Sequence, residues 1–110
     1  MTDTEKSEGR GPAESSVPYK VTPVFDAHTL PKGLQKAHRT AAGVWGVIRV
    51  LEGRLRYVIE ETSVEAILTA DQPGLVSPQQ FHHVQPLGPM RLQVEFYDHE
   101  PKLSKIISKL

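Results

Sequence analysis

The chain has 110 residues, with 13 Lys plus Arg against 13 Asp plus Glu and no cysteine. That length holds one domain, and the balanced charge gives no field that would draw nucleic acid or an anionic membrane, so neither is expected as a partner. The lack of cysteine excludes disulfides, thiolate nucleophiles and Cys-based zinc sites, so any metal must be held by nitrogen and oxygen.

Residues 1–17, MTDTEKSEGRGPAESSV, are rich in Glu, Ser, Gly and Pro and contain no aromatic residue. Such a segment cannot bury enough apolar surface to offset its loss of conformational entropy, so a disordered tail is expected, followed by one domain over 18–110. It also lacks the apolar core of a secretory signal, and no run in the chain approaches the ~20 apolar residues that span a bilayer. A cytoplasmic protein is expected.

From Tyr19 the character changes. Tyr19, Val21, Val24 and Phe25 favour strand, while Pro18 and Pro23 confine them to an edge. Residues 26–37, with Pro31 and Gly33, read as a connection containing at most one helical turn. A strand is predicted over 45–51, and the turn Glu52-Gly53 leads into a second over 54–60, with Leu55, Tyr57 and Ile59 sharing one face. Further strands are predicted over 64–69 and 75–77, then a corner at 78–81, then strands over 82–86 and 91–97 joined by Leu87-Gly88-Pro89. Short strands separated by turn signals indicate an all-β sandwich or barrel, with Trp45, Val50, Leu55, Leu92 and Phe96 as core candidates. Over 101–110 the period changes: Leu103, Ile106, Ile107 and Leu110 fall at helical spacing between lysines, which predicts a short C-terminal helix laid on the barrel or on a second copy in a homodimer.

Five histidines are the candidates for metal or acid–base chemistry. His28 and His99 lie in loops beside acidic residues and read as solvated. His38 precedes the first long strand, and His82 and His83 open the strand after the corner. Neutral imidazole is a common nitrogen ligand for first-row metals, but His38 and His82 stand about 44 residues apart, so only the fold can bring them together. Alternation separates the neighbouring pair: His82 shares a face with Val84 and should point inward, whereas His83 shares one with Gln85 and should be solvated. A hydrogen-bonded structural role stands beside the ligand role for each.

Three blocks carry a family resemblance: PYKVTPVFDAHTLPKGL, then His38 to Tyr57 with GVWG and VLEGRLRY, then Pro73 to Tyr97 with PGLVSP and HHVQPLGPMRLQVEFY. Together they resemble the cupin-like tellurite-resistance protein B family, in which the domain occurs alone or ahead of a methyltransferase. The resemblance implies a cupin double-stranded β-helix, a jelly-roll barrel, with a mononuclear metal site. It implies His38 and His82 as metal ligands and a further carboxylate from the last strand, Glu95. The paired histidines and the glutamate of the first cupin motif are missing, with Thr40, Ala42, Trp45 and Gly46 in that region. Alternation leaves two readings of Glu95, because Leu92, Val94 and Phe96 form the apolar face of its strand: it faces a polar barrel interior, or it is a solvated strand residue. No glycine-rich turn within a βαβ unit is present to bind S-adenosylmethionine, so the cupin part alone is expected here. The expected function is a stress-response cupin that binds a small molecule or oxyanion at a divalent metal, zinc before nickel or iron; any of Arg49, Arg54, Arg56 or Arg91 that faces the cavity would pair with the anion, and a solvated strand face is the other reading for each. An Fe(II) oxygenase and a metal-free dimeric sensor or interaction module are the alternatives.

Overall fold

Alternating apolar residues and regularly spaced turns build an all-β chain. The computed structural model describes residues 17–103. The strands are β1 Lys20–Val21, β2 Phe25–Asp26, β3 Trp45–Glu52, β4 Leu55–Ile59, β5 Val64–Leu68, β6 Gly74–Val76, β7 His82–Pro86 and β8 Arg91–Tyr97, with one 3-10 turn at Lys32–Gln35. These bounds lie within a residue or so of those read from the pattern. The expected tail, apart from Val17, lies outside the described residues, as do residues 104–110 of the expected C-terminal helix. Residues 101–103 are not helical.

Every pairing is antiparallel, and the strands form two sheets. One runs in the order β1-β8-β3-β6 with β2 also on β8, and the other in the order β5-β4-β7. Because side chains alternate across a strand, each sheet has an inner and an outer face. Ile48 and Val50 of β3, Leu55, Tyr57 and Ile59 of β4, Val76, Val84 and Leu92 are buried together in the main core. Their neighbours Val47, Leu75 and Tyr97 face the other way, where they form a second buried cluster with Trp45 and Leu103. Trp45 was expected in the main core; it is half-buried in this outer cluster, because on β3 it shares the face of Val47. Phe96 is also only half-buried.

Two turns fix the register that the functional site depends on. Gly53, between β3 and β4, has φ +78°, and a Cβ there would collide with the carbonyl oxygen of Pro89. Only glycine fits both the left-handed backbone and that close approach. The corner before β7 has Gln79 at φ 60°, and its N–H donates to the carbonyl of Thr40 at 3.2 Å. The Thr40 hydroxyl in turn donates to the Val44 carbonyl at 2.7 Å. The corner at 77–81 and the loop at 38–44 are thereby tied together. No helix among the described residues is long and apolar enough to cross a membrane.

Candidate functional site: a cavity lined by paired histidines

The loop and corner so joined bring His38 and His82 together. They form an isolated antiparallel bridge, in which the His38 N–H donates to the His82 carbonyl at 3.0 Å and the His82 N–H to the His38 carbonyl at 2.9 Å. Their rings lie 4.1 Å apart between centroids. The local geometry repeats on both sides. Nδ1 of His38 is 2.9 Å from the carbonyl of Lys36, and Nδ1 of His82 is 2.8 Å from that of Gln80, each two residues upstream. A carbonyl oxygen only accepts, so each Nδ1 carries the hydrogen.

His82 is 3% exposed, among the buried residues of the core. Burial pushes its imidazole down from the ordinary 6.5 to about 4; the Gln80 carbonyl pulls the other way, and the nearby His38 adds to the depression. It is therefore neutral at pH 7. Tyr57 meets its ring edge-on at 5.8 Å between centroids, and the Tyr57 hydroxyl donates to the Leu75 carbonyl at 2.9 Å. Burial raises the Tyr57 hydroxyl far out of reach of titration.

Both histidines line a cavity of about 350 Å³. Ile48, Val76, Val84, Leu92, Val94 and Phe96 supply most of its wall from four strands, and Leu34 from the 3-10 turn closes one side. Gly46 also lines it, so β3 presents no side chain at that inward position. The cations on the lining, Lys20 and Arg39, are exposed residues, and the Arg39 guanidinium lies 4.9 Å from the centre of the Phe81 ring. No Asp or Glu is among the lining residues.

The inward turn of His82 beside Val84 follows from strand alternation. His83, on the opposite face, is half-buried and paired with Glu60. Glu95 is not part of the cavity. Val94 and Phe96 occupy the inner face of β8, so Glu95 points outward, where it accepts from Arg49 Nε at 3.1 Å and from the Tyr97 hydroxyl at 2.8 Å. None of the four arginines read as anion partners lines the cavity: Arg49 is held by Glu95, Arg56 by Glu65 and Gln85, Arg91 by Glu52, and Arg54 is exposed. The carbonyls of Lys36 and Gln80, which orient the two imidazoles, gave no signal in the sequence, since backbone acceptors have no residue type. Tyr57 was legible as an inward residue of its strand, but its contact with His82 depends on the β4–β7 register, which pairs Tyr57 with Val84.

Residues 20–94 match the profile of the TehB-like domain. The chain belongs to the TehB-like domain family. This TehB-like domain is 36% identical over 75 residues to a "Probable S-adenosyl-L-methionine-dependent methyltransferase TehB" of Haemophilus influenzae strain Rd, a match covering 64% of this chain and 26% of that protein. The same protein from strain 10810 is 35% identical over the same length. The chain thus spans about a quarter of the length of the curated relatives it matches. Among solved structures it superposes on TehB of H. influenzae with a TM-score of 0.67 and 31% identity, covering 73% of this chain and 30% of that one. It also superposes on a protein of Escherichia coli K12 with a TM-score of 0.65 and 19% identity, covering 78% of this chain and 91% of that one, a likeness of fold.

These relatives correct the expected metal-binding cupin and its zinc, nickel or iron. They are named for methyl transfer from S-adenosyl-L-methionine, and no group of three or more His, Asp or Glu among the described residues is placed to hold a metal ion. The physical reason lies in β8: the third expected ligand, Glu95, is on the far side of the sheet from the two histidines. S-adenosyl-L-methionine does not fit the cavity either. Its ammonium and sulfonium call for carboxylates, and the lining offers a mainly apolar wall with two imidazoles, two cations and no acid.

Proposed function

We propose that this domain holds a small, uncharged, largely apolar molecule between its sheets and serves methyl transfer of the kind its relatives are named for, on the side of the methyl acceptor or product. The observation that carries this reading is the cavity itself. At about 350 Å³ it lies near the lower end of the ~300–1,000 Å³ typical of ligand pockets, and its wall is predominantly aliphatic. A charged guest held deep against this wall would lose hydration, because the buried imidazole is neutral and the two lining cations, Lys20 and Arg39, sit at exposed positions. That disfavours the oxyanion read from the sequence. The strand order β1-β8-β3-β6 facing β5-β4-β7 supports reading the two sheets as the halves of a jelly-roll barrel, with the cavity in its interior.

The test is a titration of the chain with small neutral aromatics followed by amide resonances. Saturable shifts at residues such as Ile48, Val84 and Val94 are expected, and they should vanish in Val94→Trp, whose indole fills the space, while the rest of the spectrum stays native-like. Equilibrium dialysis against labelled S-adenosyl-L-methionine should show no retention by this chain. Tight retention of that donor, or no saturable binding of any neutral probe, would overturn the reading.

A further inference from the structure

We infer that the cavity recognises its guest through an X–H group, a hydroxyl or thiol, donated to Nε2 of His82, and so takes a methyl acceptor in its unmethylated form. This rests on the reading of the cavity as a ligand site in methyl transfer and names the chemical class of the guest.

The tautomer follows from the fold. Nδ1 of His82 faces the Gln80 carbonyl at 2.8 Å, and this oxygen has no hydrogen to give, so Nδ1 must carry one. In a neutral imidazole the other nitrogen, Nε2, then has a free lone pair and no hydrogen. The ring is 3% exposed and belongs to the cavity wall. Among the described residues no donor to Nε2 is recorded. The hydroxyl of Tyr57, whose ring meets His82 edge-on, is committed to the Leu75 carbonyl. A buried acceptor left without a donor is costly, so a guest that brings one gains more than its own hydrogen bond would give in water. His38 repeats the arrangement closer to the surface, with its own Nδ1 on the Lys36 carbonyl, and the two rings stand together because their backbones are bridged.

Methylation at X replaces the hydrogen that Nε2 accepts with a methyl group. The product would set a lone pair of X against the lone pair of the imidazole, and the acceptor would again lack a donor. The same wall that holds the apolar body of the guest therefore discriminates X–H from X–CH₃. Charge plays no part in the choice.

Phenol and anisole, matched in shape and differing in this hydrogen, provide the experiment. Both are titrated into the wild-type chain at pH 7.5, where phenol is neutral, and into His82→Leu, with folding checked by the amide spectrum. Phenol is expected to bind roughly tenfold more tightly than anisole in the wild type, the scale of one buried hydrogen bond, with the ratio falling to about twofold or less in His82→Leu. If that variant fails to fold, the imidazole ¹⁵N resonances of the wild type give the answer: phenol should shift Nε2 of His82 and anisole should not. Equal binding of the two, or an unmoved Nε2, would overturn the inference and leave the cavity reading intact. A preference that survives in folded His82→Leu would overturn the assignment to this residue. Saturable binding of neither compound would overturn both readings.

Discussion

Burial of an imidazole has a measurable consequence for stability. In the unfolded chain His82 takes up a proton near its ordinary 6.5, whereas in the folded chain burial delays this to about 4. Between these values the unfolded state binds more protons than the folded state, so acid favours unfolding. The contribution is fully present above 6.5 and is lost as pH falls towards 4. A displacement of that size corresponds to ~3 kcal/mol, at about 1.4 kcal/mol per tenfold change in equilibrium, a large fraction of the ~5–15 kcal/mol that holds a small domain together. The groups acting on the ring besides its burial are the Gln80 carbonyl and Glu60, which favour the charged form, and His38 and His83, which oppose it.

Urea denaturation at pH 7.5, 6.5, 5.5 and 4.5 measures the effect. His82→Leu should be less stable than wild type at neutral pH, since it leaves the Gln80 carbonyl without its imidazole donor, but its stability should fall less steeply with acid. The difference in slope, rather than the absolute loss, is the diagnostic quantity, because other titrations are common to both proteins. The lowered carboxyls of Asp26 and Glu65 destabilise on acidification as well, but below the usual carboxylate range, outside most of this window. Parallel stability curves for the two proteins, or a His82 resonance that titrates near 6.5, would refute the reasoning.

Gly53→Ala should cost ~2–3 kcal/mol, measured as a shift in the urea midpoint, because the left-handed backbone and the Pro89 carbonyl both reject a Cβ there. Tyr57→Phe should cost about 1–2 kcal/mol by the same assay, since it strips the buried Leu75 carbonyl of its donor while leaving the ring packed against His82. Glu95→Gln should weaken the bond to Arg49 and lower stability by ~1 kcal/mol without changing phenol affinity, because Glu95 lies across the sheet from the cavity; a marked loss of affinity would place it in the site after all.

Much of the fold was legible because its signals are local. Turn residues at Gly53, at 71–74 and at 87–89 cut the chain into segments, and within each the period of two assigned the faces: Leu55, Tyr57 and Ile59 inward, Arg56 outward. Trp45 shows where local reasoning fails. Its size marked it as core, yet its position on β3 puts it with Val47 on the outer face, where Leu75, Tyr97 and Leu103 shelter it. Whether an outer face is covered depends on what crosses it, and no periodicity within β3 carries that information.

The site divides along the same line. His82 could be turned inward from its own strand, because Val84 is apolar and Gln85 is not. Its partner could not be named from spacing, since the bridge to His38 depends on how the 38–44 loop meets the 77–81 corner through Thr40 and Gln79. Glu95 is the more instructive case. Family resemblance carried it into the site, whereas the alternation of Leu92, Val94 and Phe96 left open whether it faced a polar interior or solvent. An ionised carboxylate on that inner face would have had to abandon water for an aliphatic wall, at a cost that a single imidazole pair does not offset. Placed outside, it meets Arg49 and the Tyr97 hydroxyl, keeps its charge partly solvated, and leaves His82 as the buried polar residue of the cavity wall. In a strand that is apolar on one side only, the two-residue period sets where a charged side chain can sit, and a motif that asks otherwise must bring a compensating partner with it.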